Sequence, residues 1–128
     1  MQKSKNIKPT EGELEILGVL WEKGNATVRT VNEELSKTKE AGYTTTLKLM
    51  QIMFEKGLVT RDSSSKTHVY EAAITREKTQ TQFVDKMINS LFAGSGTELV
   101  LHALGEHKPS NAELDKIQEL LNQLKSGK

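Results

Sequence analysis

The stretch Tyr43–Ala72, YTTTLKLMQIMFEKGLVTRDSSSKTHVYEA, changes its periodicity once, and that change decides the fold. Over its first half Thr44, Lys48, Gln51 and Glu55 recur at i, i+4, i+7 and i+11, the spacing of one stripe on an α-helix. Leu49, Met50 and Met53 fall on the other side, where they can pack into a core. The helix is expected to run to about Lys56, with Gly57 as its C-terminal stop. Beyond it, Leu58-Val59-Thr60-Arg61 and Thr67-His68-Val69-Tyr70 read as two strands around the turn Asp62-Ser63-Ser64-Ser65-Lys66. A helix presenting hydroxyls, an amide and one ammonium, followed at once by a hairpin with a basic tip, suits a nucleic-acid groove better than a catalytic cleft.

Upstream of this stretch the pattern is helical twice over. Thr10-Glu11-Gly12-Glu13 fits a capping box, with the Thr10 hydroxyl reaching the third backbone N–H and Glu13 reaching back. Leu14, Leu17 and Trp21 at i, i+3 and i+7 then make an amphipathic helix that closes at Gly24-Asn25. Thr27 can cap a second helix carrying Val28, Val31 and Leu35, and Lys37 to Gly42 reads as a turn. Thr44 is expected to cap the third helix, with Tyr43 just ahead of it. Three short helices followed by a hairpin describe a helix-turn-helix with a β-wing.

Downstream the texture differs. Thr75 caps a helix with apolar positions Phe83, Val84, Met87, Ile88, Leu91 and Phe92, broken by Ala93-Gly94-Ser95-Gly96. A shorter helix carries Leu99, Val100, Leu101 and Leu104. After a second capping box, Ser110-Asn111-Ala112-Glu113, the last helix bears Leu114, Ile117, Leu120, Leu121 and Leu124. Three short helices without a sheet cannot bury such stripes alone. A core seam folded back on the first domain is one reading. Self-association is favoured, with Phe83, Met87, Leu91, Phe92, Leu101, Leu104, Ile117, Leu120, Leu121 and Leu124 as the dimerisation residues. The fold class is therefore mostly α with a small β-hairpin wing: a winged helix-turn-helix DNA-binding domain over residues 1–74 and a C-terminal helical dimerisation domain over residues 75–128.

Composition narrows the function by exclusion. A hydrophobic fraction of 35% with 5% aromatics is thin for a self-sufficient core in 128 residues, so apolar faces must be shared. The formal net charge is only +1, so any electrostatic footprint on a nucleic acid has to be local. Its candidate pieces are Lys3, Lys5 and Lys8 in the N-terminal tail, then Lys48, Arg61 and Lys66. The absence of cysteine excludes disulfides, thiolate zinc sites and thiol redox sensing. No apolar run approaches a membrane span, and no signal-peptide core follows the basic start, so no membrane insertion and a cytoplasmic location are expected.

Catalysis has no visible constellation, and the expectation is that the chain is not an enzyme. His68, His102 and His107 are isolated, and five residues between the last two do not stack them on one helical face. Neither H-E-x-x-H, G-x-S-x-G, G-x-G-x-x-G nor a phosphate loop is present, so no metal and no cofactor are expected. Glu33 and Glu34 are most simply a solvated helix face.

The expected DNA contacts can be named individually. The N-terminal turn of the reading helix would enter the major groove with its free N–H groups and the hydroxyls of Thr44 and Thr45. Lys48 would reach guanine O6/N7 or a phosphate, Gln51 adenine N6/N7, and Tyr43 a sugar-phosphate or a thymine methyl. Arg29 and Thr30 would hold the backbone, Lys66 at the wing tip would approach phosphates or the adjacent minor groove, and Arg61 is a further DNA-binding candidate. Under the plainer reading Thr44 is only a cap and the stripe an ordinary wet face. A winged-helix protein-interaction module without sequence-specific DNA binding is the competing function.

The residues also resemble a known family. The run Pro9-Thr10-Glu11-Gly12-Glu13-Leu14-Glu15-Ile16-Leu17-Gly18-Val19-Leu20-Trp21, with Ala26-Thr27-Val28-Arg29, Tyr43-Thr44-Thr45 and Glu55-Lys56-Gly57-Leu58-Val59, is similar to the penicillinase-repressor family. That family includes the β-lactamase, methicillin-resistance and copper-responsive repressors. The similarity extends to Phe92-Ala93-Gly94 and Leu99-Val100-Leu101-His102, and so spans nearly the whole chain. The resemblance implies a homodimer on a palindromic double-stranded DNA operator. It also implies relief through a membrane-bound sensor metallopeptidase pathway, with cleavage in the dimerisation domain between an asparagine and a phenylalanine. The matching positions here look like His102-Ala103, a different pair. Family members usually carry arginine where this chain has Ile52, and the paired cysteines of the copper-responsive branch are missing, which argues against copper sensing.

Overall fold

Eight elements follow one another in the order the sequence suggests: α1 (Glu11–Lys23), α2 (Val28–Leu35), α3 (Tyr43–Lys56), β1 (Val59–Asp62), β2 (Val69–Ala72), α4 (Arg76–Leu91), α5 (Gly96–Glu106) and α6 (Asn111–Lys125). They belong to a computed structural model that describes residues 8–127; Lys3 and Lys5 of the expected basic tail lie outside the described residues, and Lys8 is half-buried. The chain forms two compact units, one reaching to Thr81 and the other beginning at Gln82, with α4 running through the division.

In the first unit α1 starts at the expected capping box. Glu13 N donates to Thr10 Oγ1 at 3.2 Å, and Thr10 N donates to Glu13 Oε1 at 2.9 Å. The core face of α1 is Ile16, Leu17 and Leu20, all buried. Leu14 and Trp21 pack partly buried beside it, so the expected stripe is turned by a fraction of a helical turn. Trp21 keeps a polar partner, its Nε1 donating to Ile74 O at 2.9 Å. Val28 and Val31 from α2, Met50 and Met53 from α3, and Leu58, Val59 and Tyr70 complete the core.

Thr27 caps α2 as expected, its Oγ1 accepting from Thr30 N at 3.2 Å. The start of α3 corrects the sequence reading. The N-cap is Gly42, extended at φ −75° and ψ 140° with no side-chain cap, and Tyr43 is the first helical residue. Thr44 is not a cap but an exposed residue of the first turn. The threonine with a structural role is Thr46. It is buried, its Oγ1 donates to Gly42 O at 3.2 Å, and it accepts from Asn32 Nδ2 at 3.1 Å. Asn32 Nδ2 also donates to Ala41 O at 2.9 Å, so one amide of α2 fixes the turn and the helix that follows. At the far end Gly57 adopts the left-handed conformation, φ 85°, that ends α3.

The wing is an antiparallel pair with Val59 opposite Ala72 and Asp62 opposite Val69. Both strands begin later than the sequence pattern suggests, the second by two residues. A bridge outside the hairpin accompanies this register: Ala26 N donates to Tyr70 O at 3.0 Å and Tyr70 N to Ala26 O at 2.8 Å, tying the α1–α2 connection to β2. Tyr70, with its side chain buried, is thereby held on its backbone too.

The second unit is helical. Ser95 caps α5, and Ser110 and Glu113 form the expected box at α6. Before α5 the chain turns through Ala93 and Gly94, at φ 49° and 84°. No residue of α5 or α6 is buried. Leu91 is 72% exposed and Leu124 63%, and Val100, Leu101, Leu114, Leu120 and Leu121 are also exposed.

Candidate nucleic-acid interface

Helical geometry divides α3 cleanly. Thr46, Met50 and Met53, at i, i+4 and i+7, are buried, which turns Thr44, Lys48, Gln51 and Glu55 outward together with Thr45. Tyr43, half-exposed at 49%, stands at the N-terminal end of this face. The amides of the first turn of α3 have no side-chain acceptor, since Gly42 offers none.

Beside α3 lies a cleft of about 360 Å³ walled by the start of α2, the outer side of α3 and the wing. It brings together Arg29, Tyr43, Gln51, Arg61 and Lys66, five of the nine residues expected at DNA. Thr30, Thr44, Thr45 and Lys48 do not line it; Thr30 is half-buried on α2 and the other three lie on the open face of α3. Among the described residues no carboxylate lines the cleft. Lys23, Lys37, Lys39 and Lys56 are engaged in ion pairs with Glu34, Glu15 and Glu13. Among the described residues Arg29, Lys48, Arg61 and Lys66 make no such pair. The helix–wing side thus presents four cations without an ion-pair partner, which can act on a phosphate backbone although the total charge is balanced.

The wing tip is held by its own hydrogen bonds. Ser64 N donates to Asp62 Oδ1 at 2.9 Å, and this backbone bond holds the Asp62 carboxyl below the usual aspartate range. Ser65 Oγ donates to Thr67 O at 3.0 Å. Arg61 does not extend freely from β1: its guanidinium carbon lies 3.9 Å from the centroid of the Phe54 ring. Phe54 against Arg61, and Thr27, Leu47, Thr67 and His68 at the cleft, are among the neighbours not expected at DNA from the sequence. An aromatic three residues after Gln51 is the signal that could have found Phe54, whereas His68, just ahead of β2, carries none.

In the second unit Phe83, Met87, Phe92, Leu104 and Ile117 are half-buried, and Leu91, Leu101, Leu120, Leu121 and Leu124 are exposed. His102 and Ala103 lie within α5, and the His102 ring meets the Phe92 ring edge-on at 5.9 Å. No group of three metal-binding side chains occurs among the described residues, and no helix is long and apolar enough to cross a membrane.

A family model described as the penicillinase repressor matches residues 9–123. The chain belongs to the penicillinase repressor family. Membership spans both units and makes the protein a transcriptional repressor with a winged-helix domain. The penicillinase repressor of Staphylococcus aureus is 21% identical over 121 residues, covering 94% of this chain and 96% of its own. The methicillin resistance regulatory protein MecI of Staphylococcus aureus strain N315 is 22% identical over 119 residues, 93% and 97% of the two chains. The penicillinase repressor of Bacillus licheniformis is 23% identical over 119 residues, 93% of each. Among solved structures, the hsRosR-S4 complex shares the fold at a TM-score of 0.50 and 15% identity, over 98% of this chain and 95% of that one.

Proposed function

We propose that this member of the penicillinase repressor family acts as a homodimer that binds a palindromic DNA operator and blocks transcription sterically. The observation that carries the reading is the outward stripe of α3, Thr44, Lys48 and Gln51, standing beside a wing whose cations have no acidic partner among the described residues. On this reading Thr44, Thr45, Lys48 and Gln51 meet base edges from the major groove, and Tyr43 meets a sugar-phosphate or a thymine methyl. Arg29, Thr30, Arg61 and Lys66 meet backbone phosphates and set the register.

Dimerisation is supported by the apolar side chains that α4, α5 and α6 leave exposed, including Leu91, Leu101, Leu120 and Leu124. Fully burying an exposed leucine gains about 1.5–3 kcal/mol, and these side chains, still more than half exposed, keep a good part of that to gain from pairing with a second copy. Two reading heads would then address half-sites about one helical turn of DNA apart, or a multiple of that.

Relief by proteolysis, triggered through a membrane-bound metallopeptidase pathway, is the regulatory part of the proposal. The peptide between His102 and Ala103 lies inside α5, and Ala103 O accepts from His107 N at 2.9 Å. Cleavage there requires α5 to unwind first, which breaks this bond and the helical bonds around it.

A gel shift with the DNA upstream of the protein's own coding sequence tests the central claim. A discrete, sequence-selective complex supports it. Salt-sensitive binding without preference for any sequence sinks the specific-repressor reading, and failure to bind a DNA column at low salt moves the domain to protein docking.

A further inference from the structure

We propose that Phe54 is a positioning residue for DNA binding: its ring holds the Arg61 guanidinium at the cleft between reading helix and wing, so that Arg61 meets a backbone phosphate from a fixed pose. The proposal rests on the DNA-binding reading above and adds to it a residue that touches no nucleic acid in its argument.

The geometry has three parts. Phe54 is on the last turn of α3 and remains 38% exposed, while Met50 and Met53 of the same helix fill the core. Arg61 is the third residue of β1, opposite Tyr70, and its guanidinium lies over the Phe54 ring at 3.9 Å, within the range of a direct cation–π contact. The guanidinium has no hydrogen bond or ion pair among the described residues, and its Nε is buried without a partner. Five donors in a planar fork, with one face against a ring and no acceptor, are a group prepared for an anion that the protein itself does not supply.

Cost and gain explain why an exposed phenylalanine belongs there. An unrestrained arginine loses much of its rotamer freedom when it seats on a phosphate. Stacking on Phe54 fixes the planar group beforehand, so less freedom is lost when DNA arrives. The same contact joins the end of α3 to the base of the wing and so sets where Lys66 at the tip stands relative to Gln51 on the helix. A lysine at position 61 would keep the charge and lose both effects, because an ammonium has no plane to lock.

Because phosphate contacts do not depend on base sequence, a mixed-sequence 30-base-pair duplex is a sufficient probe for the full-length protein. Affinity is measured across a salt series for wild type, F54L, F54Y, R61A and the F54L/R61A pair, with thermal melts alongside. F54L is expected to bind about two- to fivefold more weakly, the size of an exposed cation–π contact. Its salt slope is expected to fall by up to about one unit as the phosphate contact loosens. F54Y should restore both values, and F54L should add nothing once Arg61 is alanine. An F54L protein that binds like wild type, or an F54L loss that persists in the R61A background, overturns the positioning role while leaving DNA binding intact. A wild-type protein that fails to bind the duplex at low salt overturns the DNA reading and this role with it.

Discussion

Lys56 Nζ lies 2.9 Å from both carboxylate oxygens of Glu13, which is 2% exposed and also accepts from Thr10 N. One side chain therefore closes the capping box of α1 and anchors the C-terminal end of α3, the helix that carries the reading stripe. Replacing Lys56 by methionine leaves a buried carboxylate with only the Thr10 amide. Breaking a fully buried pair costs about 3–5 kcal/mol; with the Lys56 side chain still about one-third exposed, ~2–3 kcal/mol is expected for Lys56→Met. Adding Glu13→Gln should return part of this, because the amide oxygen still accepts from Thr10 and no charge is stranded. Strictly additive losses in a chemical-denaturation cycle would disprove the coupling.

The threonines at the start of α3 should separate by role. Thr46→Val removes one acceptor for Asn32 Nδ2 and the side-chain donor to Gly42 O while the bonds to Ala41 O and from Thr46 N remain, and at about 0.5–1.5 kcal/mol per lost hydrogen bond is expected to cost about 1–2 kcal/mol of stability. Thr44→Ala, at an exposed position with no cap to lose, should leave stability within about 0.5 kcal/mol and show its effect in DNA affinity alone. Paired melting and binding curves decide it; a Thr44→Ala protein with a clearly lowered midpoint would restore the capping role.

These two threonines also mark what the sequence could and could not disclose. The stripe Thr44, Lys48, Gln51 and the stop at Gly57 follow from side-chain periodicity and glycine chemistry, both local properties, and the fold bears them out. Whether Thr44 or Gly42 caps the helix depends on Asn32 reaching across from α2, a contact between residues fourteen apart in the chain that no local pattern encodes. The wing shows the same division. Its two strands are legible, but their register goes with the bridge between Ala26 and Tyr70, and the stack of Arg61 on Phe54 needs the hairpin folded against α3. Which lysines are neutralised by glutamates is likewise a long-range matter: Lys56 and Glu13 are 43 residues apart and Lys39 and Glu15 are 24 apart.

Lys48 distinguishes base reading from backbone anchoring. If it pairs with a guanine edge, Lys48→Ala should lose about 1–3 kcal/mol of affinity for the operator and relax preference at one position. If it meets only a phosphate, affinity should fall alike on all sequences and the salt slope should shallow by about one unit. Binding measured on operator and scrambled duplexes at several salt concentrations separates the two, and an unchanged affinity on both removes Lys48 from the interface.

Acid should loosen the wing tip. The Asp62 carboxyl is held below its usual range by the Ser64 amide, so its bond stabilises the tip above the unfolded aspartate value near 4 and that contribution fades as pH falls through the lower folded value. The carboxyl resonance of Asp62, followed by nuclear magnetic resonance, should titrate at lower pH than a free aspartate, with the Ser64 amide shifting in step. A midpoint at or above the ordinary value contradicts the bond in solution.

Self-association is the condition on which operator recognition by two heads depends. Leu91 and Leu120 are 72% and 54% exposed within one chain, so a charge at either position leaves the isolated fold little disturbed while forbidding an apolar contact with a second copy. Leu91→Asp or Leu120→Asp should therefore sediment as a monomer with unchanged helical content, and should bind a full palindrome no more tightly than a single half-site. The two effects must travel together, because the gain from a second half-site arises from linkage between heads. A wild-type protein that sediments as a monomer at micromolar concentration refutes the dimer. A variant that stays dimeric places the interface on another part of α4–α6.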